Sequence, residues 1–160
     1  MRGNGGGNMW PMVAGVGPVL GEGVAGYFIQ PDGVEIPWEY RDGAAWEGGV
    51  ANQRVDTPYR LRRDRLRVAV LTDTAVASSG EAVVIAFKGR PDTRSFGDRT
   101  CGKSTANEAY PMSDGATLNL TGAVMADRNR TPYGSFVQPD ENVPLIRVME
   151  RAVEWLRSGT

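Results

Sequence analysis

Ser78 and Lys103 are the pair in this sequence whose types and setting could do covalent chemistry. Ser78 lies in Ala-Ser-Ser-Gly-Glu at residues 77–81, between a short apolar run and a segment of helical character. A serine at a strand-to-helix junction gains from the helix dipole and from the free N–H groups of the first turn. Those N–H groups can also bond an oxyanion formed on an attacked carbonyl. Lys103 follows 25 residues later, in Thr-Cys-Gly-Lys-Ser. A desolvated, uncharged lysine can take the proton of a serine hydroxyl. Both residues also have plain structural uses. Ser78 with Glu81 forms a Ser-x-x-Glu capping box, and a loop lysine is ordinarily solvated.

Composition removes the competing chemistries. The 160 residues include no histidine and one cysteine. A Ser-His-Asp triad, a Cys-His dyad, histidine-ligated metal and an internal disulfide are therefore impossible within this chain. Glu81, Asp114 and Asp140 do not read as a metal-ligand cluster, and no cofactor is implied. A net charge of −1 offers no global field for nucleic acid or an anionic membrane. Glycine is the outlier at 21 residues, which marks tight turns and close backbone approaches.

The elements that must position this pair read as one α/β domain over residues 1–160. Residues 24–30 read as a strand, 31–33 as a turn, and 34–38 as the second arm of a hairpin, with Pro37 demoting that arm to an edge. Residues 41–57 are polar, glycine-rich and aperiodic, and read as a loop. The apolar run 66–72 reads as a buried strand. A helix from Ser78 to about Lys88 should bury Val84 and Phe87, three apart on one face. Residues 94–96 form a short strand, 97–107 a loop, and 116–126 a long strand. Val143, Ile146, Met149, Val153 and Leu156 have near-helical spacing, which predicts a C-terminal helix over 143–157. The start is harder to place: Met9 and the residues after it interleave apolar side chains with Gly and Pro, and read as neither a clean helix nor a strand.

Other motifs carry less. Gly102-Lys103-Ser104 echoes the end of a phosphate loop, with Gly97 five positions before Gly102, but no helix clearly follows. The arginines at 60, 62, 63, 65 and 67 lack interleaved aromatics and suit a solvated face, so no nucleic-acid partner is read from them. Cys101 suits a small buried packing position. Trp10, Trp38, Trp46 and Trp155 suit core or half-buried sites. No apolar run is long enough for a membrane span, and no signal-peptide pattern opens the chain.

Taken together, five segments resemble the tail-specific, C-terminal-processing serine protease family. They are Arg-Gly-Asn-Gly-Gly-Gly-Asn-Met-Trp-Pro-Met at 2–12, Ala-Ser-Ser-Gly-Glu at 77–81, Gly-Lys-Ser-Thr-Ala-Asn-Glu at 102–108, Ser-Asp-Gly-Ala at 113–116 and Gln-Pro-Asp at 138–140. The resemblance implies a crotonase/ClpP-like core with a mixed sheet and flanking helices. It implies a serine-type peptidase acting on peptide or protein substrates through an acyl-enzyme, in a periplasmic or secreted setting. By resemblance Ser78 is the nucleophile and Lys103 the base. The Ser79 N–H and one from Gly5 or Gly6 would form the oxyanion hole.

The sequence departs from the family pattern twice. The family motif begins Asp-Leu-Arg at the end of a core strand, whereas Met1 stands directly before Arg2. An N-terminally truncated core is the expectation, with residues 1–8 poorly ordered and exposed edges that invite self-association. Ser-Thr-Ala-Asn-Glu at 104–108 resembles a branch that takes a histidine from upstream. Either Lys103 serves as base, or the chain is an inactive homologue that binds a peptide or apolar ligand.

Overall fold

The computed structural model describes residues 1–62 and 66–158; Arg63 and Arg65 of the arginine cluster lie outside them. Among these described residues three helices, α1 (Met9–Leu20), α2 (Ser79–Phe87) and α3 (Val148–Arg157), combine with nine strands in a mixed α/β fold. The strands are β1 (Gly23–Ile29), β2 (Glu35–Arg41), β3 (Ala44–Glu47), β4 (Val50–Arg54), β5 (Val68–Thr72), β6 (Thr93–Gly97), β7 (Thr105–Pro111), β8 (Thr117–Asp127) and β9 (Glu141–Asn142). An antiparallel sheet runs β4-β3-β2-β1-β8-β7, and a smaller parallel sheet runs β5-β6-β9. Among the described residues no helix is long and apolar enough to cross a membrane.

α2 lies at the centre. All nine of its residues are buried, Val84 and Phe87 included. A helix apolar all round belongs in the interior rather than on a surface, and α2 touches α1, β1, β8 and β5. Val13 of α1, Trp38 of β2 and Met125 of β8 belong to the same core. A second cluster joins Phe96, Val143, Val148 and Ala152, with Trp155 packed against it.

Several elements differ from expectation. Met9–Leu20 is a helix despite its glycines and prolines. The Asn8 side chain caps it by accepting the Trp10 N–H. Pro11 falls in the first turn, where no intrahelical N–H is required. Residues 41–57, read as a loop, contain β3 and β4. Asp42-Gly43 and Gly48-Gly49 all have positive φ, as two-residue hairpin turns demand. β2 is an interior strand, not an edge. The Pro37 carbonyl accepts the Gly48 N–H at the turn beyond β3, so the missing proline donor falls where that ladder has ended. The C-terminal helix spans Val148–Arg157 rather than 143–157. Val143 is tied to Gly97 and the Arg147 N–H closes a turn on Pro144. Ile146 and Met149 are consequently exposed, and Val148 and Ala152 face the core. Cys101 is exposed rather than buried.

Residues 1–8 are likewise pinned in place. The Gly3 N–H donates to the Asp73 carboxylate, and the Asn4 carbonyl accepts the Ala77 N–H at 3.0 Å. Beside them β5 forms one edge of the parallel sheet, along an open groove lined by Met1, Arg2, residues 68–71 and Phe87.

Asp140 fixes the chain entering β9. Its carboxylate accepts from Lys88 Nζ at 2.7 Å and from both the N–H and the hydroxyl of Ser95. Burial pushes this carboxyl up, but its bonds to Lys88 and Ser95 outweigh that and hold it below the ordinary carboxylate range. A depressed folded pKa contributes stability above the unfolded value near ~3.9 and loses it as pH falls through the folded value. Asp140→Asn should cost about 1–2 kcal/mol at neutral pH, discounted for its partial exposure. In thermal melts from pH 7 down to pH 2, the gap between mutant and parent should close towards the acid end. A gap independent of pH would refute the assignment.

Candidate active site

Ser78 sits at the bend between β5 and α2 in an unusual backbone state, φ 51° and ψ −119°. The Gly80 N–H donates to the Ala77 carbonyl, closing a four-residue turn with Ser78 in its second position. These are the angles of a type II′ turn, a position that favours glycine. Holding a serine there costs on the order of 1–3 kcal/mol, and such strain persists only where the surroundings over-determine it.

Those surroundings centre on Glu81, which is fully buried. Its Oε2 accepts the Ser78 N–H at 2.9 Å and the Lys103 N–H at 2.7 Å. Its Oε1 accepts the Thr100 hydroxyl at 2.5 Å and the Gly102 N–H at 2.9 Å. One carboxylate therefore gathers the Ser78 turn and the 100–103 loop onto itself, and all four partners are uncharged donors. The capping pattern foresaw only the Ser78 contact. Thr100 is locked in turn by accepting the Val137 N–H.

Asn4 is the other clamp. Its carbonyl holds Ala77, its Oδ1 accepts the Gly6 N–H at 3.1 Å, and its Nδ2 reaches Met12 Sδ. Gly6 is thereby pressed against the serine. A Cβ at Gly6 would stand 2.8 Å from the Ala77 carbonyl oxygen and 3.0 Å from Ser78 Cβ, and Gly6 has φ +104°. Gly5 has open space where a Cβ would stand. The Ser79 hydroxyl donates to the Gly7 carbonyl. As the first residue of α2, Ser79 has no intrahelical acceptor for its N–H.

Ser78 and Ser79 line a cleft of about 380 Å³, with Trp10, Phe28, Ala106, Asn107 and Met125 among its walls. Glu47 also lines it, and burial pushes its carboxyl up against the opposing pull of an Asn52 hydrogen bond. A larger hollow of about 660 Å³, lined by Tyr40, Asp42 and Tyr59 among others, lies elsewhere, without Ser78 or Lys103 in its wall. The structure thus brings Ser78, Ser79, Gly6 and the Lys103 backbone to one place. The Lys103 side chain is exposed and is not part of the cleft wall. Sequence reasoning missed Glu81 as a clamp, and Asn4 altogether. Asn4 lies 73 residues before Ala77, so no local pattern connects them.

Peptidase family S41 matches residues 1–143, and the chain belongs to that family. Over 159 residues it is 31% identical to the nisin-resistance protein of Lactococcus lactis subsp. lactis, covering 99% of this chain and 48% of that one. A lipoprotein structure from Streptococcus agalactiae superposes with TM-score 0.80 at 27% identity, covering 98% of this chain and 52% of that one. The photosystem II D1 C-terminal processing protease shares the fold, with TM-score 0.66 at 21% identity, over 89% of this chain and 33% of that one. The chain spans about half the length of the curated relative it matches.

Proposed function

We propose that this chain is a serine peptidase of the tail-specific type, on a crotonase/ClpP-like core, with Ser78 as nucleophile and Lys103 as base. The observation that carries the reading is the strained backbone of Ser78 at a strand-to-helix bend lining a cleft. A sharp bend of this kind lifts a nucleophile clear of its neighbours. In the proposed reaction Ser78 Oγ attacks the peptide carbonyl carbon while its proton passes to the Lys103 amine. The oxyanion is held by the Ser79 N–H and one N–H from Gly5 or Gly6. The Gly6 N–H, bonded to Asn4 Oδ1, serves only if that contact opens. Collapse of the intermediate breaks the C–N bond, and the leaving amine takes the proton back from Lys103. Water then hydrolyses the acyl-serine. Lys103 side-chain rotation and cover from a seated substrate would bring the amine to the hydroxyl.

A fluorophosphonate probe tests this reading directly. It should attach to Ser78, as located by peptide mass spectrometry, and Ser78→Ala should abolish the label. Lys103→Met should slow labelling roughly 10²-fold or more, the low end of the usual general-base effect. An unchanged rate in Lys103→Met would remove the lysine from the mechanism while leaving the serine in place. Labelling elsewhere, or not at all, would overturn the nucleophile.

A further inference from the structure

We propose that the β7–β8 hairpin is a docking track for the substrate polypeptide, joined to the Ser78 cleft and suited to an extended segment with apolar side chains at alternate positions. This rests on the peptidase reading and extends it to substrate class. Residues 107–111 and 117–121 are exposed on both faces of the hairpin. At ~3.4 Å per residue, five residues reach about 17 Å. The register gives the two faces opposite characters. Tyr110 pairs with Leu118 and Glu108 with Leu120 on one face, while Asn107 pairs with Thr121 and Ala109 with Asn119 on the other. Tyr110, Leu118 and Leu120 are each nearly half exposed, and the Tyr110 hydroxyl is held by the Glu108 carboxylate. A two-stranded ribbon with a bare apolar face is not stabilised by itself, so that face is built to be covered.

Continuity with the cleft identifies the cover. Across the β7–β8 and β8–β1 registers, that apolar face runs on through Ala106 and Ala123 to Met125 and Phe28. A second hollow of about 120 Å³ shares Phe28, Glu47, Ala106 and Asn107 with the Ser78 cleft and ends at Glu108 and Gly122, the root of the hairpin. One surface therefore leads from Ser78 to Leu118. A polypeptide lying in the cleft and continuing extended turns every second side chain to this surface.

The test uses the Ser78→Ala chain, which binds without cleaving. Fluorescence anisotropy would compare a six-residue peptide that fills only the cleft with peptides of about fourteen residues extended on either side. The extensions alternate leucine with serine or lysine. Leu118→Ser with Leu120→Ser should weaken binding of one long peptide at least tenfold and leave the short one unchanged. Both residues are exposed, so the thermal melt should not move. Unaltered long-peptide affinity, or no binding of either long peptide, would overturn the track. So would a parent dimer that the double variant turns to monomer in sedimentation without loss of peptide affinity. Failure of the serine-peptidase reading shows separately, as absence of probe label on Ser78 in the parent chain.

Discussion

Replacing Glu81 with glutamine should be as damaging as many core truncations, although the two side chains have nearly the same shape. Each Glu81 oxygen accepts two hydrogen bonds. Glutamine has one acceptor oxygen and an NH₂ group that only donates. If its oxygen serves Thr100 and Gly102, the NH₂ is pushed against the N–H groups of Ser78 and Lys103. In the other orientation it is pushed against Thr100 and Gly102. Two N–H groups are stranded in the first orientation; in the second the Gly102 N–H is stranded and the Thr100 hydroxyl must turn from donating to accepting, at about 1–3 kcal/mol for each lost acceptor where water is excluded. The expected loss is about 2–4 kcal/mol in denaturant unfolding, a large part of the 5–15 kcal/mol typical of a domain. Reactivity should fall further than stability predicts. Either orientation loosens the strained turn, directly through Ser78 or through the 100–103 loop held to the same carboxylate, and a shift of about 1 Å at a reacting atom costs roughly 10²-fold. The check is the Ser78 labelling rate under conditions where the variant is fully folded. Full labelling by folded Glu81→Gln would show that the clamp matters for stability alone. Thr100→Val removes both the donor to Glu81 Oε1 and the acceptor of the Val137 N–H, but it strands no N–H on the serine side, so the labelling rate should fall less than in Glu81→Gln.

The site's legibility in sequence follows the range of its interactions. Ser78 and Glu81 lie three residues apart, so the capping pattern announced their contact. It could not announce the Ser78 backbone state, because a capping serine ordinarily adopts an extended conformation and the positive φ is imposed by Asn4, Gly6 and Glu81 together. α2 is legible through its apolar composition, and its central place follows from residues 82–87, which are apolar on every side of the helix. α1 was obscured because Gly15, Gly17, Pro11 and Pro18 dilute the apolar stripe of Met9, Val13, Ala14 and Leu20. The β3–β4 hairpin carried a readable signal in Asp42-Gly43 and Gly48-Gly49, outweighed by the weak alternation of Ala44 and Ala45 and the polar β4. The apolar spacing overruns the start of α3 because Val143 is apolar and buried for a different reason, its packing with Phe96.

Gly6→Ala and Gly5→Ala, one residue apart, should have opposite outcomes. Gly5 has nothing within 4 Å of the position a Cβ would take, and its φ is not in the left-handed region. Its alanine variant should fold and react nearly as the parent does, and the smaller backbone entropy of its unfolded chain works slightly in its favour. Gly6 is restricted twice over. Alanine there must adopt φ +104° with its methyl against the Ala77 carbonyl and Ser78 Cβ. Neither atom is the end of a flexible side chain, so relief comes only by moving the backbone around Gly6 or the Ser78 turn. The backbone strain alone is about 1–3 kcal/mol. Displacing the turn also pulls Ala77 from Asn4 and Ser78 from Glu81, the bonds that hold the serine in place. Gly6→Ala should therefore lower the fluorophosphonate labelling rate roughly 10²-fold or more while the chain remains folded. If the two variants label equally fast, the packing of Gly6 against Ser78 does not set the position of the nucleophile.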